Sequence, residues 1–309
     1  MIRMENVVKR YSDLIALDHF SFSAEEGEII GLLGPNGCGK TTAINCMLSL
    51  LTFDKGEIEI FGQQVHPNNN TVKSRIGIVP QELAIFEKLN VYENIDFYCG
   101  LYVSDRRKRK MLVEEAIAFV GLDKYRRFIP KKLSGGLRRR LNIACGIAHK
   151  PSLLFMDEPT VAVDAQSRNF ILEGIRKMKG QGTTIIYTTH YLEEAEQLCD
   201  RMVIMDSGRN IAQGTVHELQ NSISTQERID VGLITDDQTV ETQLEQLPHV
   251  VKVTRKNGNY VIHFEKQENN LAHLIKFMES KNITYTELSS ERATLSDIFL
   301  ELTGKELRD

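Results

Sequence analysis

The sequence predicts an α/β protein with a parallel-sheet core, followed by a small α+β domain. Three observations carry that reading. Gly34-Pro35-Asn36-Gly37-Cys38-Gly39-Lys40-Thr41, with Thr42 behind it, is a complete G-x-x-x-x-G-K-[ST] loop, set between the apolar run Glu28–Leu33 and a helical spacing of Ile44, Met47 or Leu48, and Leu51. Four apolar residues, Leu153 to Met156, run straight into Asp157-Glu158; this is a buried parallel strand whose carboxyl end meets a site. Beyond residue 220 the pattern becomes β-α-β-β-α-β, a ferredoxin-like split unit.

Composition sets the outer bounds. A chain of 309 residues has room for two domains, each of roughly 100–200 residues. Five cysteines (Cys38, Cys46, Cys99, Cys145, Cys199) are odd in number, scattered and never paired as C-x-x-C, which argues for a reducing compartment and against a disulfide or zinc framework. Met1–Glu5 opens into polar sequence without the apolar core of a signal peptide, and no apolar run approaches the ~20 residues of a membrane span. The expectation is a soluble, cytoplasmic chain. The net charge of −4 gathers beyond residue 220, where ten basic side chains stand against fifteen acidic ones; the rest is close to neutral. Neither part has the basic balance of a nucleic-acid-binding domain.

Taken in order, residues 1–30 read as an antiparallel β start. Val7–Tyr11 leads into Leu14–Leu17, and then Phe20, Phe22 and Ala24 alternate with Ser21 and Ser23. Tyr11 offers either a stacking face for an adenine or an ordinary half-buried strand tyrosine. Glu57–Phe61 is an alternating strand closed by Gly62, His66–Asn70 a loop by composition, and Ser74–Val79 a short strand ending at Pro80-Gln81. From Leu83 to Gly121 the apolar spacing is helical. Within it, Asp105–Lys110 is a basic run, read as a solvated helix face with phosphate or lipid-headgroup contact as the alternative. Leu133-Ser134-Gly135-Gly136-Leu137 opens a further helix that Pro151 stops. After the strand into Asp157-Glu158 come a helix over 165–179, a strand Thr183–Thr188 with His190 just past its end, a helix over 191–199 and a strand over 202–206.

The glycine loop has direct chemical meaning. Its glycines let backbone N–H groups close around phosphate oxygens, and the following helix adds its positive dipole end. Lys40 is suited to the β- and γ-phosphates, and the Thr41 hydroxyl to Mg²⁺.

The loop at 34–42, Gln81 after a strand, Leu-Ser-Gly-Gly at 133–136, the strand into Asp157-Glu158, and His190 form one ordered set over roughly residues 1–220. That set resembles the nucleotide-binding subunit of an ATP-binding cassette (ABC) transporter. The implied fold is a P-loop NTPase ABC nucleotide-binding domain, 1–220, with an antiparallel β subdomain and a helical subdomain at about 83–150. The resemblance implies an ATPase using ATP and Mg²⁺. In it Tyr11 resembles the adenine-stacking aromatic, and Gln81 the glutamine that touches Mg²⁺ and the attacking water. Asp157 resembles the Walker B aspartate that orders Mg²⁺ through water, Glu158 the catalytic glutamate, and His190 the switch histidine on the γ-phosphate. Ser134, Gly135 and Gly136 are expected to serve the nucleotide of the opposite subunit, so one cassette per chain implies a dimer, expected to be of identical subunits. Leu137 stands where the family commonly has Gln. Val161 and Val163 are bulkier than usual in the stretch that ends at Asp164, which bears on inter-subunit geometry.

The C-terminal domain, 221–309, is expected to run strand Arg228–Ile234, helix Val240–Leu247, strands Val250–Thr254 and Tyr260–Phe264 joined through Asn257-Gly258, helix Leu271–Ser280 and strand Tyr285–Leu288. Its tail, Ala293–Gly304, is an amphipathic helix that resembles the ending of ABC-2 type exporter ATPases, the class that moves drugs, antibiotics, lipids or polysaccharides outward. His249, His263 and His273 lack ligand spacing, and the domain is expected to support regulation or dimerisation. The first functional expectation is an export ATPase docked on a multi-span membrane permease near Gln81 and 83–102, with Phe86, Leu89 and Tyr92 as candidate contacts. It would sit at the cytoplasmic face of the membrane. The alternatives are a soluble ABC ATPase acting on nucleic acid or the ribosome, and an import ATPase. A single cassette without basic arms and with an acidic C-terminal domain speaks against nucleic acid as a partner.

Overall fold

The computed structural model describes residues 1–223, 225–233, 238–256, 258–265 and 269–304. The chain divides into two compact units, Met1–Gln213 and Gly214–Leu307.

In the first unit an antiparallel sheet is built from β1 (Ile2–Tyr11), β2 (Leu14–Ala24), β4 (Lys55–Ile60) and β5 (Gln63–Gln64), in the order β2-β1-β4-β5. The second sheet contains β3 (Ile29–Leu33), β6 (Ile76–Val79), β7 (Leu153–Asp157), β8 (Thr184–Thr188), β9 (Arg201–Asp206) and β10 (Arg209–Gly214), in the order β10-β9-β3-β8-β7-β6. The pairs β3–β8, β3–β9, β7–β8 and β6–β7 are all parallel. Every residue of β3 and β8 is buried, and the alternation decides which core each side chain joins. Ile30, Leu32, Phe155 and Ile186 pack with α1 (Lys40–Met47) and the antiparallel sheet. Ile29, Leu154, Met156, Ile185 and Tyr187 pack on the other face, with α3 (Val91–Gly100), α4 (Arg106–Phe119), α5 (Gly135–Ile147) and α6 (Ala165–Gly180). Each such side chain stabilises the fold by about 1.5–3 kcal/mol. Two faces buried by one period-2 pattern is why these strands read as continuous apolar runs.

Three local differences from the sequence reading have clear causes. His66–Asn70 is not all loop: α2 (Asn70–Lys73) starts there because the Asn69 side chain accepts from Val72 N. Helix does not begin at Leu83. The buried Asn94 side chain accepts from Phe86 N and donates to the carbonyls of Phe86, Leu89 and Asn90, tying 86–90 into a loop that Asn90 and Glu93 end with a capping box. The turn over 206–209 that the composition marks is followed by a further strand, β10, in which residues 209–213 alternate exposed and half-buried. In α4 the basic residues Arg106, Arg107 and Lys108 occupy the first turn, where the dipole disfavours them; the Asp105 side chain caps it on Lys108 N.

The second unit carries α8 (Val216–Ser222), β11 (Thr225–Leu233), α9 (Gln238–Glu245), β12 (Val250–Lys256), β13 (Asn259–Glu265), α10 (Asn270–Ser280), β14 (Tyr285–Arg292) and α11 (Leu295–Thr303). Its sheet, β12-β13-β11-β14, is antiparallel throughout, the strand order of a ferredoxin-like split unit. Ile229, Val231, Tyr260, Ile262 and Phe264 form its core with Val240, Leu244, Leu274 and Met278 from the helices. Gly258 takes φ 88 in the β12–β13 turn, while Asn257 lies outside the described residues. Gly304, φ 67, ends α11. Among the described residues no helix is long and apolar enough to cross a membrane.

Candidate functional site

A parallel sheet brings the carboxyl ends of its strands to one edge, and four of them carry the polar residues singled out in the sequence. β3 delivers the glycine loop, β6 delivers Gln81, β7 ends in Asp157-Glu158, and β8 ends in Thr188 with His190 beyond. β8 lies between β3 and β7, so the loop and the two acids flank a single strand.

The loop is shaped by close approaches. Gly39 has φ 110, and a Cβ there would meet the Ala16 carbonyl at 2.5 Å. It precedes α1 as a left-handed N-cap with no capping side chain, which leaves the first N–H groups of the helix for an anion. Asn36, Gly37 and Thr41 are exposed and Thr42 is half-buried. Lys40 is buried, and its ammonium donates to the carbonyls of Gly34 at 2.6 Å and Pro35 at 3.2 Å. Those bonds satisfy a buried cation inside the loop itself. Cys38 is buried and its thiol pKa is raised by that burial, so it stays a neutral packing group. Tyr11, at the end of β1, is exposed, with the Lys9 ammonium 5.3 Å from the ring centroid.

Glu158 is the centre of the arrangement. It is 7% exposed and sits at φ 46 just past β7, a left-handed backbone that a glutamate adopts only under constraint. The constraint is visible: its N–H donates to the Thr188 hydroxyl at 3.0 Å, and that hydroxyl in turn donates to Asp157 Oδ1 at 2.5 Å. Its carboxylate is held on both oxygens. Gln81 Nε2 donates to Oε2 at 3.0 Å, and His190 Nδ1 lies 3.3 Å from Oε1. Gln81, Glu158 and His190, scattered across the sequence, thus meet at one carboxylate.

Sequence reasoning missed the residues that hold this centre. Arg139 is 6% exposed, and its Nη1 donates to the carbonyls of Gln81 at 2.8 Å and Pro80 at 3.2 Å. Burial lowers the guanidinium pKa, while the charge of Glu158 opposes that shift. Asn142, one turn on, donates to Pro80 O at 3.3 Å and accepts from Ala84 N at 2.9 Å. Arg139 stands among Arg138, Arg139 and Arg140, and nothing in the run marks which one turns inward.

Ser134 caps α5, its hydroxyl accepting from Leu137 N at 3.3 Å. Ser134 and Gly135 are exposed, whereas Gly136 is buried. A Cβ on Gly136 would meet the Ser167 hydroxyl at 2.1 Å, so only glycine fits between α5 and α6. Among the described residues, no hydrogen bond or ion pair joins Ser134, Gly135 or Gly136 to Lys40 or Glu158 of the same chain. Among the described residues no three His, Cys, Asp or Glu side chains gather to hold a metal. The oxygen donors on Thr41, Gln81 and Asp157 suit Mg²⁺ instead, an ion bound through one or two carboxylates together with phosphate oxygens.

Comparison with known proteins identifies the family. Residues 17–161 match the ABC transporter family, and residues 214–303 match the C-terminal domain of DrrA1-3-like ATP-binding proteins. The chain is 37% identical to the linearmycin resistance ATP-binding protein LnrL of Bacillus subtilis (strain 168), over the whole of both chains. It is 34% identical to the Nod factor export ATP-binding protein I of Ralstonia nicotianae, covering all of this chain and 95% of that one. A solved ATP-binding subunit of an ABC transporter superposes with a TM-score of 0.66 at 25% identity, covering 72% of this chain and 92% of the other.

Proposed function

The chain belongs to the ATP-binding subunits of ABC transporters, and from that premise we propose that it hydrolyses ATP to power export through a separate membrane subunit. Relatives named for linearmycin resistance and for Nod factor export support the outward direction, as does the match of residues 214–303 to the DrrA1-3-like C-terminal domain. The observation that carries the mechanism is the Glu158 carboxylate bracketed by Gln81 and His190 at 3.0 and 3.3 Å.

In this reading the free N–H groups of α1 and the glycine loop receive the triphosphate. Lys40 exchanges the carbonyls of Gly34 and Pro35 for β- and γ-phosphate oxygens, and Tyr11 stacks on the adenine. Thr41, Gln81 and Asp157 would hold Mg²⁺, and the ion would neutralise charge on the phosphates. Glu158 accepts a hydrogen bond from the attacking water and aligns it, while His190 donates toward the γ-phosphate. Phosphoryl transfer asks for this kind of positioning and charge stabilisation rather than covalent chemistry.

Ser134, Gly135 and Gly136 complete the site of the opposite subunit. The exposure of Ser134 and Gly135 at the N-terminus of a thirteen-residue helix supports an anion-binding role there. ATP closes a head-to-tail dimer of identical chains and hydrolysis reopens it. The membrane subunit docks near Gln81 and the aromatic group that includes Phe86, placing the chain at the cytoplasmic face. Phe86 is exposed, with the Phe97 ring edge-on to it at 4.8 Å and the Tyr98 ring tilted against it at 5.9 Å between centroids. Leu89 and Tyr92 are half-buried beside it in sequence.

The test is a tagged pull-down from detergent-solubilised native membranes, with ATP and the Glu158→Gln variant. A stoichiometric multi-span protein is the expected result; ribosomes or nucleic acid in its place would overturn the export reading.

A further inference from the structure

Glu194 lies on α7 (Leu192–Leu198), four residues beyond His190, and looks in sequence like one of several surface acids. It is 4% exposed. A single oxygen of its carboxylate, Oε2, accepts from the Tyr187 hydroxyl at 2.6 Å and from the Thr160 hydroxyl at 2.7 Å, with the Thr189 hydroxyl at 3.4 Å. Oε1 faces Arg168, whose Nε lies 3.3 Å away but off the hydrogen-bonding direction. Arg168 itself spreads over the Tyr191 ring, 4.6 Å from its centroid.

These partners belong to the segments that carry the catalytic groups. Thr160 is two residues beyond Glu158, in the turn closed by Val161 N to Glu158 O. Thr189 precedes His190, and its hydroxyl also takes the Tyr191 N–H at 2.9 Å. Tyr187 is a fully buried residue of β8, the strand between β3 and β7. Burial and the Glu194 charge raise its phenol pKa well above the ordinary value, so it remains a donor. Taking a carboxylate out of water is costly unless it is paired and hydrogen-bonded, and here two short hydroxyl bonds converge on one oxygen. Among the described residues, neither Gln81, Glu158 nor His190 makes a hydrogen bond or ion pair with Glu194.

We propose that Glu194 is a positioning residue for ATP hydrolysis, locking the turn that presents Glu158 to the loop that presents His190. The inference rests on the assignment of Glu158 as the residue that aligns water. A loosened loop pair misplaces the carboxylate without disturbing the glycine loop, so turnover falls and nucleotide binding does not.

The experiment is steady-state ATP hydrolysis by the full-length chain, with ATP affinity and thermal midpoint read in parallel. Glu194→Leu removes the acceptor, and Glu194→Gln retains an amide oxygen for both hydroxyls. A misplacement on the ångström scale lowers kcat of Glu194→Leu by about 10- to 100-fold with KM for ATP unchanged, and Glu194→Gln restores most of it. Should Glu194→Leu fail to fold, Thr160→Val and Tyr187→Phe decide. The threonine, on the loop of Glu158, loses more kcat than the tyrosine on the strand, again at constant KM. In a Glu158→Gln background none of these changes lowers the residual rate further. Wild-type kcat in Glu194→Leu or Thr160→Val, a KM that rises as kcat falls, or losses that multiply with Glu158→Gln would each overturn the proposal. Full activity of Glu158→Gln alone would instead remove the assignment on which it rests.

Discussion

In the first unit β3 and β8 bury every residue they contain, whereas β14 of the second unit buries none of its eight. The difference follows from position and cover: β14 is the edge strand of its sheet, whereas β3 and β8 are interior strands. Strands of the parallel sheet are covered on both faces, so their interiors carry packing alone and polar chemistry is displaced to the ends. Because the strands run the same way, those ends coincide, and Lys40, Gln81, Asp157, Glu158 and His190 follow from four of them. In the antiparallel sheet successive ends point in opposite directions. Polar groups there pair locally: Arg228 with Asp230 within β11 at 2.7 Å, Ser290 of β14 with Glu227 of β11 at 2.7 Å, and His263 of β13 near Asp297 of α11 at 4.0 Å. One topology collects reactive groups, and the other spends them on its own surface.

The sharpest way to separate the two regions is Lys40→Ala. Charge-assisted hydrogen bonds are worth about 1.5–3 kcal/mol, so ATP affinity is expected to fall roughly 10- to 100-fold. A fluorescent-nucleotide titration reads it, with unfolding of the second unit unchanged. Unaltered affinity would break the assignment of the glycine loop.

Gly136→Ala comes next. Its Cβ would lie 2.1 Å from the Ser167 hydroxyl, and such overpacking typically costs about 1–3 kcal/mol. Gly180, around which a Cβ meets nothing within 4 Å, is the control. Thermal unfolding should show the first unit destabilised by Ala at 136 and unaffected by Ala at 180. Equal midpoints for both variants would mean that α5 and α6 separate freely.

The smallest effect concerns acid. Burial lowers the pKa of His149 in the first unit and of His263 in the second; for His263 the neighbouring Asp297 opposes the shift, while Arg228 and Lys252 add to it. A histidine whose folded pKa is depressed binds protons more readily in the unfolded chain. Stability is therefore full above the ordinary value near 6.5 and declines as pH drops below it. His263→Gln should flatten that decline in the second unit alone, and His149→Gln in the first alone, as pH-dependent denaturant titrations would show. If either substitution flattened both transitions, the two regions would be coupled and the comparison would need redrawing.

Much of the site was legible because its signals are local. A glycine loop carries its chemistry in nine consecutive residues, and a strand buried on both faces announces itself as Leu153–Met156 does. The split β-α-β-β-α-β pattern beyond residue 220 was readable for the same reason. What escaped depends on partners distant in sequence. Arg139 is inward only because the carbonyls of Pro80 and Gln81 meet it, and Asn94 organises 86–90 through four bonds that no periodicity reveals. Glu194 looks like a solvated helix residue until Thr160 and Tyr187 are seen to converge on it. The α2 turn was hidden by Pro and Asn, residues that usually signal loops, although Asn69 is its cap.

The most direct test of the central claim is ATP hydrolysis by the wild-type chain and by Glu158→Gln, with size-exclusion chromatography in ATP. A positioned general base contributes about 10²–10⁴ in rate, so the variant should lose turnover on that scale while retaining ATP and accumulating as a dimer. Hydrolysis by Glu158→Gln at the wild-type rate would show that the carboxylate held between Gln81 and His190 is not the group that aligns the water.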